Sequence, residues 1–368
     1  RPLRRACTSL FDDERAISVD NRRADRDGGT GSNTTVVNFG PPAAVSKVRN
    51  QSPDTGRAGQ LARRFDVAAT FDDAVAMRDA VRPDRLDVVL PPAAQAAVVM
   101  AALERGIPTI CQKPFGTDLA QARAMADAST QSRTPLVVHE NFRFTPWFRE
   151  CRRLVDAGHF GRLHGISFRL RPGDGQGPRA YLDRQPYFQT MPQLLVRETA
   201  VHFIDSFRYL MGDVNAVTAH LRRLNPAIAA EDAAIIHFEF ADGASGLFDG
   251  NRLNDHVADN PRLTMGEMWL EGERGVLRLD GNACLWWKPH QGQEEEHLYP
   301  HGAAGAFGGA CTALQAHVVA HLRDGSALEN SARDYLANLH VQAAVYHSHQ
   351  TGRRVTMAQF DPDNHHKA

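Results

Sequence analysis

Between residues 56 and 140 short apolar runs alternate with segments of helical composition, and this alternation constrains the fold more than any other feature of the chain. "GRAGQLARRF" and "FDDAVAMRDAV" read as helical, "RLDVVL" as a strand, "AAQAAVVMAALERG" as a helix ending at Gly106, "IPTIC" as a strand, "DLAQARAMADAST" as a helix and "TPLVVHENF" as a strand. Such a βαβα order calls for a parallel sheet covered by helices on both faces. In that architecture ligands bind beyond the C-terminal ends of the strands. Pro91, Pro92 and the Lys113–Pro114 pair each follow a strand, so they should line one crevice.

Beyond residue 150 the texture changes. "HGISFRLRP", "VNAVTAHLRRL", "AAIIHFEFADGASGLFDGNRL" and "RLTMGEMWLEGERGVLRLDGNACLWWKP" alternate in hydropathy, and "ADG", "EGERG" and "DGN" supply hairpin turn chemistry. One helical segment, "RETAVHFIDSFRYLMG", interrupts these runs, and further helices are expected at about 306–324 and 330–350. The expected fold is α/β: a doubly wound parallel sheet in residues 1–145, of which 1–45 are atypical, then an α+β domain in residues 146–368. The second domain should carry a large open, mostly antiparallel sheet, with the helix at 330–350 packing back toward the first domain.

Composition narrows the function. The chain has 368 residues, 42% hydrophobic and 23% charged, enough for two cores. Its net charge of −1 comes from interspersed acids and bases with no basic stripe, which argues against a nucleic-acid partner. No apolar run approaches the roughly 18 residues of a membrane span, and "RPLRRACTSLFDDERA" has no apolar core, so a cytoplasmic protein without a membrane partner is expected. Five cysteines are scattered and never form a CxxC pair, so neither a disulfide framework nor a metal site is expected.

At 100° per residue, Glu198, His202 and Asp205 fall within about 60° of one another on a helix, opposite Ala200, Phe203, Ile204, Phe207, Leu210 and Met211. Three readings stand side by side. The polar face is solvated; or it holds a metal, for which no fourth ligand is identifiable; or it performs acid–base chemistry, since imidazole transfers protons at neutral pH and a carboxylate one turn away can orient it.

"PPAAQ" after one strand, "CQKPF" after the next, "HENFRFTPWFR" after the third and "RETAVHFIDSFRYLMGDV" in a sheet-forming second domain together resemble the Gfo/Idh/MocA oxidoreductase family, from about residue 48 onward. The resemblance implies a Rossmann domain holding NAD or NADP, followed by an α/β domain whose open sheet forms the substrate cleft and a homo-oligomer interface. It implies a sugar, polyol or cyclitol substrate. It places Lys113 beside both nicotinamide and substrate and makes His202 the acid–base residue, with Glu198 where the family usually has Asp. Removal of a hydride from an alcohol requires a base for the proton and a donor to the developing carbonyl oxygen. His202 as base and Lys113 as polarising donor is the favoured assignment, with the reverse left open. Asn50, Leu90, Pro91, Pro92, Gln95, Gln112 and Asn141 are the remaining cofactor-side candidates. Arg143, Arg179 and Tyr187 are candidates on the substrate side, although Arg143 could equally pair with a structural carboxylate.

The resemblance is weakest at the start. "DRDGGTGSNTT" gives only GxGxxT where a GxGxxG turn is wanted, and Gln112, Leu90 and Gln95 replace the commoner Glu, Thr and His. Residues 1 to about 45 are therefore expected to be a divergent extension, a shifted reading frame or a truncation product, with a damaged cofactor cradle. Two other functions stay open: an NAD-dependent glycosidase of the same fold, and a non-catalytic sugar-binding relative.

Overall fold

In the computed structural model, residues 83–301 and 309–363 are described in full, and the strands β1 (Arg49–Gln51) and β2 (Ala69–Phe71) as backbone. These two pair in parallel, with Asn50 opposite Thr70. The GxGxxT stretch, the helix "GRAGQLARRF" and most of "FDDAVAMRDAV" lie outside the described residues; Phe71, which opens the latter, sits in β2.

Three further strands, β3 (Leu86–Val88), β4 (Thr109–Gln112) and β5 (Leu136–His139), form a parallel sheet in sequence order. Their apolar runs are buried on both faces. Val88, Cys111, Leu136 and Val138 pack with the helices Pro92–Leu103 and Leu119–Ser132, whereas Ile110 and Val137 point the opposite way. This is the strand period of two applied to a sheet with two covered faces. Pro92 opens the first helix, where a missing N–H costs nothing. Asp118 caps the second by accepting the Gln121 N–H at 2.8 Å.

Two helices from the far end of the chain complete this domain. Ala310–Asp324 covers Ile110 and Val137 through Ala310, Leu314 and Val318. Ala332–Thr351 spans both cores: Ala332 and Tyr335 join the first, while Val341, Ala344 and Val345 join the second. The chain order of the two domains thus differs from their core membership, because hydropathy alone does not tell a helix which sheet it will cover.

The second sheet has nine strands, β6 (Leu163–Leu170), β7 (Val214–Arg222), β8 (Ala233–Phe240), β9 (Ser245–Asn251), β10 (Gly266–Gly272), β11 (Gly275–Leu279), β12 (Leu285–Pro289), β13 (Glu295–His297) and β14 (Val355–Thr356), in the spatial order 13-12-11-10-6-9-8-7-14. Only β6 and β9 pair in parallel; the other neighbours are antiparallel. The turns are those their residues favour. Asp242 and Gly243 take positive φ between β8 and β9, as a tight hairpin demands. One sheet face, including Ile166, Phe168, Leu170, Ile236, Phe238, Phe248, Met268 and Leu270, packs against helices that include Val201–Met211. Ile235 and Leu247 stand exposed on the other. Among the described residues no helix is long and apolar enough to cross a membrane.

Candidate active site

The two domains meet where the ends of β4 and β5 face the start of the Val201–Met211 helix. That helix is preceded by a π-helical turn, Val196–Ala200, so Glu198 lies on a wider turn than an ideal helix supplies. Extra residues of this kind recur at functional sites. Arg197 fastens the turn to the first domain by donating to the carbonyls of Gly116 and Thr117 at 3.2 and 2.9 Å.

The polar face of this segment is buried rather than solvated: Glu198, His202 and Asp205 are 7%, 6% and 0% exposed. Each takes a different partner from the first domain. Lys113 Nζ donates to Glu198 Oε2 at 2.7 Å and to the Glu198 carbonyl at 2.9 Å. His202 Nδ1 lies 2.6 Å from Glu140 Oε1. Arg143 grips both oxygens of Asp205 at 2.8 and 2.6 Å, and Asn338 donates to Asp205 Oδ1 at 2.7 Å. The solvated reading fails because the helix packs on both of its faces. Among the described residues no group of three His, Cys, Asp or Glu side chains is placed to hold a metal.

Lys113 follows β4 directly and is joined to Pro114 by a cis peptide bond. Its N–H donates to Gln112 Oε1 at 2.9 Å, so the side chain of Gln112 turns back onto the strand end. An ammonium carries three donors, and two are held by Glu198. The third is uncommitted among the described residues.

Glu140 is fully buried just beyond β5. Burial alone would push its carboxyl up, but the adjoining His202 ring, the hydrogen bonds from His202 and the Phe142 N–H, and the Lys113 charge hold it below its ordinary value of 4.5. It is therefore an ionised acceptor, and the ring nitrogen facing it, His202 Nδ1, is the donor. Phe142 lies flat on the imidazole, with centroids 3.9 Å apart and planes 4° from parallel. His202 Nε2 has no hydrogen-bond partner among the described residues and is not one of the sealed, unpaired buried atoms.

The other candidates divide. Leu90 is buried, Pro91 is exposed at the mouth of the strand ends, and Pro92 begins the helix. Gln95 is 0% exposed, with its amide hydrogens on the carbonyls of Leu90 and Gln112 at 3.0 and 2.9 Å and its oxygen accepting from Gly116 N–H at 2.9 Å. It braces three strand-end segments from within and has no donor left for a cofactor. Gln95→Leu is expected to leave these backbone groups unpaired and cost about 2–4 kcal/mol, read as a lowered urea midpoint. Asn141 donates to Cys311 Sγ at 3.3 Å, and Asn50 is seen as backbone within β1. Arg143 makes the structural pairing that was its alternative, with Asp205, which holds its guanidinium firmly protonated against the effect of burial. Arg179 stands on the surface in an exposed pair with Asp183 at 3.2 Å. Tyr187 is half exposed, yet its hydroxyl is pushed up to about 12, first by the protein atoms crowding it and then by the nearby Glu198 carboxylate. The hydroxyl accepts from Gln185 Nε2 at 3.3 Å.

Glu140 is the residue sequence reasoning missed. The signal was present in "HENF", a carboxylate directly beyond an apolar strand on the same rim as Lys113.

The rim suits a nicotinamide. Buried Leu90 and exposed Pro91 make the end of β3 apolar, and the uncommitted Lys113 donor stands at the end of the neighbouring strand. Residues 43–140 match the model of the oxidoreductase family with an NAD-binding Rossmann fold, and residues 148–278 that of the GFO/IDH/MocA C-terminal domain. D-apiose dehydrogenase of Paraburkholderia graminis is 30% identical over 318 residues, covering 84% of this chain and 82% of its own. That of Rhizobium rhizogenes is 26% identical, covering 85% and 90%. An oxidoreductase from Agrobacterium radiobacter, solved in complex with NAD+, L-tartaric acid and magnesium, superposes with a TM-score of 0.75 at 25% identity, over 84% of this chain and 90% of that one. With its parallel N-terminal sheet, its open second sheet and these matches across both, the chain belongs to the Gfo/Idh/MocA family of NAD-binding oxidoreductases.

Proposed function

We propose that this protein interconverts a hydroxyl and a carbonyl on a sugar or polyol, with His202 as acid–base residue and Lys113 as donor to the reacting oxygen. The observation that carries this reading is the meeting of Lys113, Glu198 and His202 at one domain junction, where the Glu140 carboxylate receives His202 Nδ1 and feels the Lys113 charge. D-apiose dehydrogenases among the relatives support a sugar substrate.

When bound, the nicotinamide supplies the hydride acceptor; Leu90, Pro91, Gln112 and Lys113 are the described residues that would hold its reactive end. His202 Nε2 carries the lone pair that takes the hydroxyl proton. The third Lys113 donor stabilises negative charge as the carbonyl oxygen develops, and Glu198 fixes where that donor points. Tyr187 and Arg179 lie on the loop preceding the π-turn, and of the two Tyr187 is the better placed to touch substrate. The same reading includes a homo-oligomer across the open sheet face that exposes Ile235 and Leu247.

The test is titration with NADH and NADPH by fluorescence, followed by a screen of aldoses, polyols and inositols for NADH formation. Micromolar cofactor binding with turnover of one substrate class is expected. Lys113→Met should abolish turnover and retain binding. Binding with no net NADH formation, coupled to release of an alcohol from a glycoside, would favour the glycosidase; a folded protein that binds neither cofactor would favour the non-catalytic relative.

A further inference from the structure

We propose that Glu140 is the positioning residue of His202, fixing the imidazole in the tautomer that presents a basic Nε2 to the substrate; this rests on the reading of His202 as the acid–base residue. The geometry is over-determined. Glu140 Oε1 receives His202 Nδ1 at 2.6 Å and the Phe142 N–H at 3.3 Å, while Tyr335 donates its hydroxyl to Oε2 at 3.3 Å. Asn330 donates to the Glu140 backbone carbonyl and so fixes the residue's main chain. Phe142, two residues on, stacks on the same imidazole that Glu140 binds, so one short segment sets both the ring plane and the ring proton. Lys113, Glu198, Asp205, Arg143 and Tyr335 are the other charged or titratable groups gathered around the pair.

An ionised carboxylate can only accept, so it holds the proton on Nδ1 and leaves the Nε2 lone pair for the substrate. A glutamine at the same place can donate instead, which favours the opposite tautomer and spends the ring's lone pair on the protein. The logic is that of the aspartate in serine-protease triads. Tyr335 and Asn330 come from the C-terminal region, so the helix Ala332–Thr351 that bridges the two cores also braces the base.

The test uses the full chain and two readouts. Ring-nitrogen NMR of His202 in the resting protein should show Nδ1–H in the wild type and a shift toward Nε2–H in Glu140→Gln. Steady-state kinetics should show kcat lowered about 100-fold in Glu140→Gln with NADH affinity unchanged, and most of the loss recovered in Glu140→Asp. Glu140→Gln should add nothing to His202→Asn, because residues acting as a unit are not additive. An unchanged tautomer in Glu140→Gln, or losses that multiply in the double variant, would overturn the proposal. Should Glu140→Gln not fold, Tyr335→Phe carries the same test: a loss of kcat that vanishes in the His202→Asn background supports it, and an equal loss in both backgrounds overturns it. If the wild type oxidises no sugar or polyol, the tautomer measurement still decides the role of Glu140, and the failure falls on the hydroxyl-oxidation reading alone.

Discussion

His202→Asn is expected to lower kcat by about a thousandfold while NADH affinity and melting temperature stay close to wild type. Asparagine preserves a hydrogen-bonding group opposite Glu140 and part of the stack on Phe142, so the fold loses little. On the proposed assignment the chemistry loses its base. With the base removed, the hydroxyl proton must leave to water, and Lys113 alone stabilises the departing charge. The effect should fall on kcat rather than on KM, because the proton moves in the transition state and not on binding. Stopped-flow NADH formation under saturating substrate separates the two. A loss of less than tenfold would return the base role to Lys113, the assignment that residue types alone leave open.

Arg143→Met should be the most destabilising of the substitutions considered, by about 3–5 kcal/mol. Asp205 is 0% exposed, and its two oxygens are held by the Arg143 fork and by Asn338. Removing the guanidinium leaves a buried carboxylate with one neutral donor. The pair also fastens three parts of the chain together: the segment after β5, the Val201–Met211 helix and the Ala332–Thr351 helix. The double variant Arg143→Met/Asp205→Leu should recover most of the loss, since no uncompensated charge is then buried. Urea unfolding of the single and double variants reads this directly; a single-variant cost below about 1 kcal/mol would mean that the pair is solvated in solution.

Acid should strain the same junction. The Glu140 carboxyl sits below its ordinary value of 4.5 in the folded protein, so its pairing contributes stability above that pH. That contribution is lost as pH falls through the lower, folded value.

Much of this was legible in the sequence, for reasons that differ by element. The strands at 86–88, 109–112 and 136–139 announce themselves because a short, mostly apolar run rich in β-branched residues between helical segments has few other uses. Lys113 could be singled out because a lysine is costly at a buried strand end. The partners of Glu198, His202 and Asp205 could not be read, because Lys113, Glu140 and Arg143 lie 85, 62 and 62 residues away in the chain. A helical wheel shows which side chains share a face; it does not show what covers that face. The π-turn at 196–200 was illegible as well, since "VRETA" carries no residue type that separates a π-turn from an ordinary helical turn. The bracing role of Gln95 could not be read, because a polar residue after a strand end suits a ligand as well as it suits three backbone groups.

The most direct test of the central claim is isotope transfer. A sugar or polyol found to be turned over, labelled with deuterium at the reacting carbon, is incubated with the protein and NAD+, and the nicotinamide product is examined by mass spectrometry and NMR. The label should appear in the reduced ring with wild-type protein, be absent with Lys113→Met and accumulate about a thousandfold more slowly with His202→Asn. Product formation with no label in the ring, or the same labelling in both variants, would contradict hydride transfer at this site.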